Sequence, residues 1–115
     1  MTKENEVLDN LIQELRRGTI VLSVLSQLDK PQYGYSLVQS LEDKGLTLDP
    51  GTLYPLLRRL EKQNLLTSEW ETTGNKPRKY YILSDSGKKV FNLLCEEWNN
   101  MATNINDMVI DNLPK

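Results

Sequence analysis

Three stretches of helical apolar period, a pair of β-branched and aromatic runs around a loop, and one long closing stripe follow one another along the chain. That order predicts a mainly α fold with a small β-hairpin. Leu8, Leu11, Ile12, Leu15, Leu22 and Leu25 recur at helical spacing, predicting a first helix from about Val7 to Leu28. Gly18 lies inside it, at about 1 kcal/mol against Ala, and reads as the mark of a close packing contact. Asp29-Lys-Pro-Gln32 ends the helix, because proline cannot continue it.

Tyr33-Gly34-Tyr35-Ser36 opens the second helix, with Leu37, Val38 and Leu41 on its apolar face and Lys44-Gly45 as its stop. Asp49-Pro50 is a helix-start signal, and Leu53, Leu56, Leu57 and Leu60 form a third stripe ending near Asn64. Pro55 removes an internal hydrogen bond if that helix begins at Pro50. A start at Gly51 or Thr52 puts it in the first turn and is the favoured reading. Leu66–Thr72 and Arg78–Leu83 flank Thr73-Gly-Asn-Lys-Pro77 and read as a hairpin with a long loop. Ser84 caps a fourth helix reaching about Asn112. Helix, helix, helix, hairpin is the winged helix-turn-helix arrangement, here expected over residues 1–83, with residues 84–115 as a C-terminal dimerisation helix.

Composition narrows the chemistry. The chain of 115 residues fits one domain. No histidine and a single cysteine exclude a Ser-His-Asp triad, His/Cys zinc sites and an internal disulfide. No nucleophile–base pair or paired-carboxylate motif is visible, so an enzyme is not expected, nor a cofactor or metal. No apolar run approaches the roughly 18 residues of a membrane span. The polar, mostly acidic Met1–Glu14 is no signal peptide, so the expected place is the cytoplasm.

Net charge is −2, but it is unevenly spread. Residues 1–49 carry five basic and eight acidic groups, residues 50–83 six and three, and residues 84–115 three and five. Positive charge is concentrated on the third helix and the hairpin, where it can meet phosphates despite the acidic total. Thr52, Tyr54, Pro55, Arg58, Arg59 and Lys62 lie off the apolar stripe. The helix N-terminus at Gly51 offers backbone N–H groups to a phosphate. The hairpin tip adds Asn75, Lys76, Arg78 and Lys79. Tyr33 and Tyr35 stand where such a fold crosses the DNA backbone; packing is the equal alternative for one of them.

The fourth helix carries a different signal. Phe91, Trp98 and Ile105 are seven apart, as are Leu94, Met101 and Met108. This heptad stripe calls for a partner helix from a second copy; packing on the first helix is the alternative. Cys95, beside the stripe, reads as filler rather than a redox switch.

These residues resemble the PadR-like transcriptional regulators. The likeness is carried by Tyr33-Gly34-Tyr35, by Gly51-Thr-Leu-Tyr-Pro-Leu-Leu-Arg-Arg-Leu-Glu61, and by Arg78-Lys-Tyr-Tyr81 with Leu83-Ser84 before Gly87. It covers roughly residues 18–100. The single short C-terminal helix is similar to the smaller subclass that includes multidrug-sensing repressors. That resemblance implies a homodimer on a pseudo-palindromic double-stranded DNA operator, released by a small molecule. It also implies that Trp98 stacks a planar aromatic effector between subunits, with Thr19 and Ser23 facing it. Ala102 stands where those members carry an acidic residue. The competing expectation is a winged helix that binds proteins and not DNA, which would show little salt dependence and no footprint.

Overall fold

The computed structural model describes residues 2–113, so Met1, Pro114 and Lys115, at the outer bounds of the two expected segments, lie outside the described residues. Its elements are α1 (Lys3–Arg17), α2 (Ile20–Ser26), β1 (Gln32–Tyr33), α3 (Gly34–Asp43), α4 (Pro50–Lys62), β2 (Leu66–Glu71), β3 (Arg78–Leu83) and α5 (Asp85–Asp111). The architecture is a mainly helical winged helix with a three-stranded antiparallel sheet, order β1-β3-β2, and a long C-terminal helix.

The core joins α2, α3 and α4 to the root of the hairpin. Val24, Leu25, Leu28, Leu37, Leu53 and Leu57 have no accessible surface, and Leu66, Tyr81 and Leu83 close the cluster from the sheet. The Leu83 N–H donates to the Leu28 carbonyl at 2.9 Å and ties the sheet to the end of α2. β2 and β3 pair in register from Leu66↔Leu83 to Glu71↔Arg78.

Left-handed residues after α3 and α4 turn the chain. Gly45 has φ +97°, and the Leu46 N–H returns to the Leu41 carbonyl at 2.9 Å. Asn64, φ 63°, does the same after α4, with the Leu65 N–H on the Leu60 carbonyl at 3.0 Å. Both closures leave a helix through one left-handed residue, which Gly and Asn tolerate best. Ser84 caps α5 by accepting from the Gly87 N–H at 2.9 Å and donates to the Asn64 carbonyl at 2.6 Å. A Cβ at Gly87 would overlap the Leu65 carbonyl, so only glycine lets α5 start this close to the hairpin.

Four expectations are corrected. The first predicted helix is two. α1 begins at Lys3, capped by Thr2, and stops at Arg17. The Thr19 hydroxyl donates to the Arg16 carbonyl at 2.8 Å, and α2 starts afresh with the Ser23 N–H on Thr19. Gly18 marks this break and not a close contact, since nothing lies within 4 Å of a Cβ built there. A short strand, β1, precedes the second helix and pairs Tyr33 with Tyr80. Finally, α4 starts at Pro50, and Pro55 lies inside it. Asp49 caps that early start, accepting from the Gly51 N–H at 3.3 Å, while the Thr52 and Leu53 N–H groups reach the Asp49 carbonyl. Pro55 forfeits only the one bond its N–H would have made to Gly51, and burial of Leu53, Leu57 and Leu60 outweighs it.

Candidate nucleic-acid interface

Burial of Leu53, Leu57 and Leu60 fixes how α4 is rotated. Gly51, Thr52, Pro55, Arg58 and Arg59 are left exposed. None of the arginines forms a salt bridge among the described residues, so their guanidinium groups have no internal anion. The N-terminus of α4 is different. The Asp49 carboxylate already occupies the Gly51 N–H, so the free amide expected for a phosphate is shared with a resident anion.

Tyr54 lies on one flank of α4 and is 40% exposed. Its ring covers Gly34 at the start of α3, and a Cβ at Gly34 would overlap it. The Tyr-Gly pair that opens α3 thus sets the approach of the two helices of the helix-turn-helix. Tyr33 and Tyr35 separate in role. Tyr35 is 78% exposed and free to reach outward. Tyr33 is half-buried and stacks on Tyr80 across the sheet, ring centroids 4.0 Å apart, with the two hydroxyls hydrogen-bonded. That bond pushes the Tyr80 hydroxyl up to about 12, with desolvation adding to it. The Arg78 guanidinium lies 4.9 Å over the Tyr33 ring.

The wing carries its cations unevenly. Asn75 and Lys76 are exposed in the loop between β2 and β3. The loop is turned by Glu71, which accepts from the Thr73 N–H at 3.1 Å and from its hydroxyl. Lys79, by contrast, is held inward. Its Nζ is 3.4 Å from Glu61 of α4 and 5.2 Å from the Tyr81 ring centroid. Glu61 also accepts from the Ser68 hydroxyl. That hydrogen bond, helped by Lys79 and opposed by desolvation, holds Glu61 below the usual carboxylate range. Ser68, Glu61 and Lys79 together brace the wing against α4. Sequence reasoning missed this brace, because each residue taken alone is an ordinary surface polar group.

The stripe on α5 divides. Phe91 and Leu94 pack partly against the domain core, so the N-terminal part of the heptad has an intramolecular partner. Trp98, Met101, Ile105 and Met108 are 42–61% exposed. On α1 no residue is buried, and Val7, Leu8, Leu11 and Leu15 are more than half exposed. Between α1, α2 and α5 opens a cleft of about 950 Å³ lined by Leu11, Leu15, Thr19, Trp98, Met101 and Ile105, among others. Trp98 and Thr19 are brought together there. Ser23 is not, and its hydroxyl donates to the Thr19 carbonyl at 2.9 Å. Cys95 is half-buried and unbonded. Among the described residues there is no cluster of metal-ligating side chains, and no helix is long and apolar enough to cross a membrane.

A winged helix with an exposed basic helix face and wing defines a class of nucleic-acid-binding regulators. The profile of the Transcriptional regulator PadR-like family matches residues 21–93, and the chain belongs to that family. The family is one of transcriptional regulators, not of enzymes. A transcriptional regulator of Mycobacterium tuberculosis is 35% identical over 78 residues, covering 67% of this chain and 73% of that protein. The crystal structure of a PadR family regulator from Eggerthella lenta superposes with a TM-score of 0.87 at 46% identity, covering 91% of this chain and 94% of the other. PadR of Bacillus subtilis, solved in complex with operator DNA, shares the fold at 23% identity and a TM-score of 0.59, covering 64% of this chain and 44% of its own.

Proposed function

We propose that the chain is a cytoplasmic homodimeric repressor that binds a pseudo-palindromic double-stranded DNA operator and is released by a planar aromatic small molecule. The observation that carries the DNA reading is α4 itself, whose Leu53, Leu57 and Leu60 are buried while its exposed face holds arginines without salt bridges among the described residues. Arg58 is the base-reading candidate, because a guanidinium can bond a guanine edge bidentately. Gly51, Thr52, Pro55 and Arg59 flank it, and Tyr35, Asn75 and Lys76 contact the backbone. Tyr33, Tyr54, Arg78 and Lys79 support the surface by packing and bracing as well as by reaching DNA. Residues 1–83 form the reading head in this scheme and residues 84–115 the dimerisation helix.

Exposure of the apolar faces of α1 and distal α5 supports the dimer, since faces of this size on a small domain call for cover. The cleft beside Trp98 supports the effector, because an indole offers a large flat surface for stacking. Two α4 helices one helical turn apart fit successive major grooves, and an effector between subunits would change their spacing and weaken binding.

Selection of bound duplexes from a random pool, followed by binding of variants, tests the DNA reading. Arg58→Ala is expected to cost about 1–3 kcal/mol and to relax preference at one base pair. Lys76→Ala is expected to weaken all sequences alike and to lower the salt slope by about 1 for each subunit. Unchanged affinity in both variants removes Arg58 and Lys76 from the interface. The effector is read separately in Trp70→Phe, which leaves Trp98 as the one indole. Saturable quenching by a planar dye, with about one dye per dimer and loss of DNA binding, is the expected result. A broad dye panel without saturable quenching rejects the cleft as a sensor.

A further inference from the structure

A second, smaller cavity lies beside the α1–α2 joint, and Val21 lines both it and the Trp98 cleft. It has a volume of about 370 Å³ and is lined by Arg17 at the end of α1, by Ile20 and Val21 of α2, and by Thr52, Pro55, Leu56 and Arg59 of α4. Ile20, Val21 and Leu56 are half-buried and form an apolar floor. The rim is polar and positive. Arg17, Thr52 and Arg59 supply its polar lining, and among the described residues no acidic residue lines it. Among the described residues neither arginine has a salt bridge or a side-chain hydrogen bond that would neutralise it.

This arrangement follows from the break after α1. Successive helical residues point about 100° apart, so Arg16 lines the large cleft while Arg17 lines the small niche. The Gly18–Thr19 turn then carries the chain onto α2 and leaves Arg17 beside α4. Arg17 and Arg59 both line one small cavity with no acidic residue in its described lining, which makes it a place of positive charge for an outside anion. A guanidinium matches a phosphate with paired N–H donors, and an apolar floor strengthens such a contact by limiting solvent. Thr52, Pro55 and Arg59 belong to both the niche and the exposed face of α4, so an anion there would be continuous with whatever that face binds.

We propose that Arg17 and Arg59 grip one backbone phosphate of the operator in each half-site. α1, which otherwise serves assembly, thereby also contacts DNA. The proposal rests on the DNA-binding reading above, and the test keeps the two apart. Affinity for the selected operator would be measured from about 50 to 300 mM KCl for the wild-type dimer, Lys30→Ala, Arg17→Ala, Arg59→Ala and the double variant Arg17→Ala/Arg59→Ala. Sedimentation at each salt concentration would follow the dimer.

Arg17→Ala is expected to weaken binding about tenfold at 150 mM and to lower the salt slope by about 2, one phosphate from each subunit. The double variant should be little weaker than the worse single, because both side chains serve one phosphate. Lys30→Ala, at an exposed turn given no binding role, should keep the wild-type slope, and all variants should remain dimers. An unchanged slope and affinity in Arg17→Ala overturns the proposal. So does a loss that tracks dissociation of the dimer, and full additivity assigns the two arginines to separate phosphates and overturns the shared grip. Wild-type protein that binds no duplex rejects the DNA reading itself, and the phosphate grip with it.

Discussion

α2, α3 and α4 bury side chains completely, whereas α1 buries none and α5 buries only Gly87 near its start. Both groups are amphipathic, so amphipathicity alone does not decide what is core. The difference is length against available partner. α5 runs for 27 residues, about 40 Å, and the domain covers only its first turns. Beyond Leu94 the apolar stripe, among the described residues, borders the open cleft shared with α1 and α2. A complete small core and an incomplete outer pair of helices thus coexist in one chain. In the proposed dimer this outer pair supplies both the seam and the cleft beside Trp98.

The largest effect that bears on this contrast is a cavity in the complete half. Leu57→Ala is expected to destabilise the fold by about 2–5 kcal/mol, seen as a lower urea midpoint. Leu15→Ala, from a site 76% exposed, should stay within about 0.5 kcal/mol when unfolding of the domain is followed at low protein concentration. Equal losses at the two sites would break the distinction between core and outer helices.

A smaller effect tests the outer half directly. Ile105→Asp places a charge in the exposed stripe, harmless in a monomer and costly across a seam. A penalty of about 2 kcal/mol raises the dimer dissociation constant roughly thirtyfold. Sedimentation should show dissociation at micromolar concentration, with the far-ultraviolet spectrum retained. Wild-type protein that sediments as a monomer at that concentration refutes the assembly.

What the sequence made legible follows the same division. The buried stripes of α3 and α4, the Lys44-Gly45 stop, the hairpin and the Ser84 cap were readable because each is a local signal. The break at Gly18–Thr19 was not, because the apolar period runs through it from Leu15 to Leu22 while a hydroxyl on Thr19 closes the first helix. β1 is two residues long and exists only through pairing with β3, 47 positions away at Tyr33–Tyr80. Of the candidate DNA residues, the exposed set on α4 was readable from the stripe. The inward pull on Lys79 and the cover of Tyr54 over Gly34 depend on packing between elements and left no trace in local pattern.

The smallest expected effect concerns the brace that joins the reading helix to the wing. In the folded chain Glu61 is held below its ordinary value, first by the Ser68 hydroxyl and then by Lys79. A carboxylate depressed on folding contributes stability that is present above its unfolded value, near 4.5, and is lost as pH falls through the folded value. Glu61 and Lys79 are each about a third exposed, so solvent screens most of the interaction. Ser68→Ala should therefore lower stability slightly at pH 7 and raise the pKa of Glu61 toward the usual range. At an acidic pH below the Glu61 midpoint found by titration, where both proteins carry it protonated, the difference should shrink. Urea unfolding at the two pH values measures it, and carbon-detected NMR of the Glu61 carboxyl follows the titration itself. A difference of the same size at both pH values would mean that Ser68 acts by strand packing alone. The brace would then be a contact between two completed surfaces and not a charge-assisted link between helix and wing.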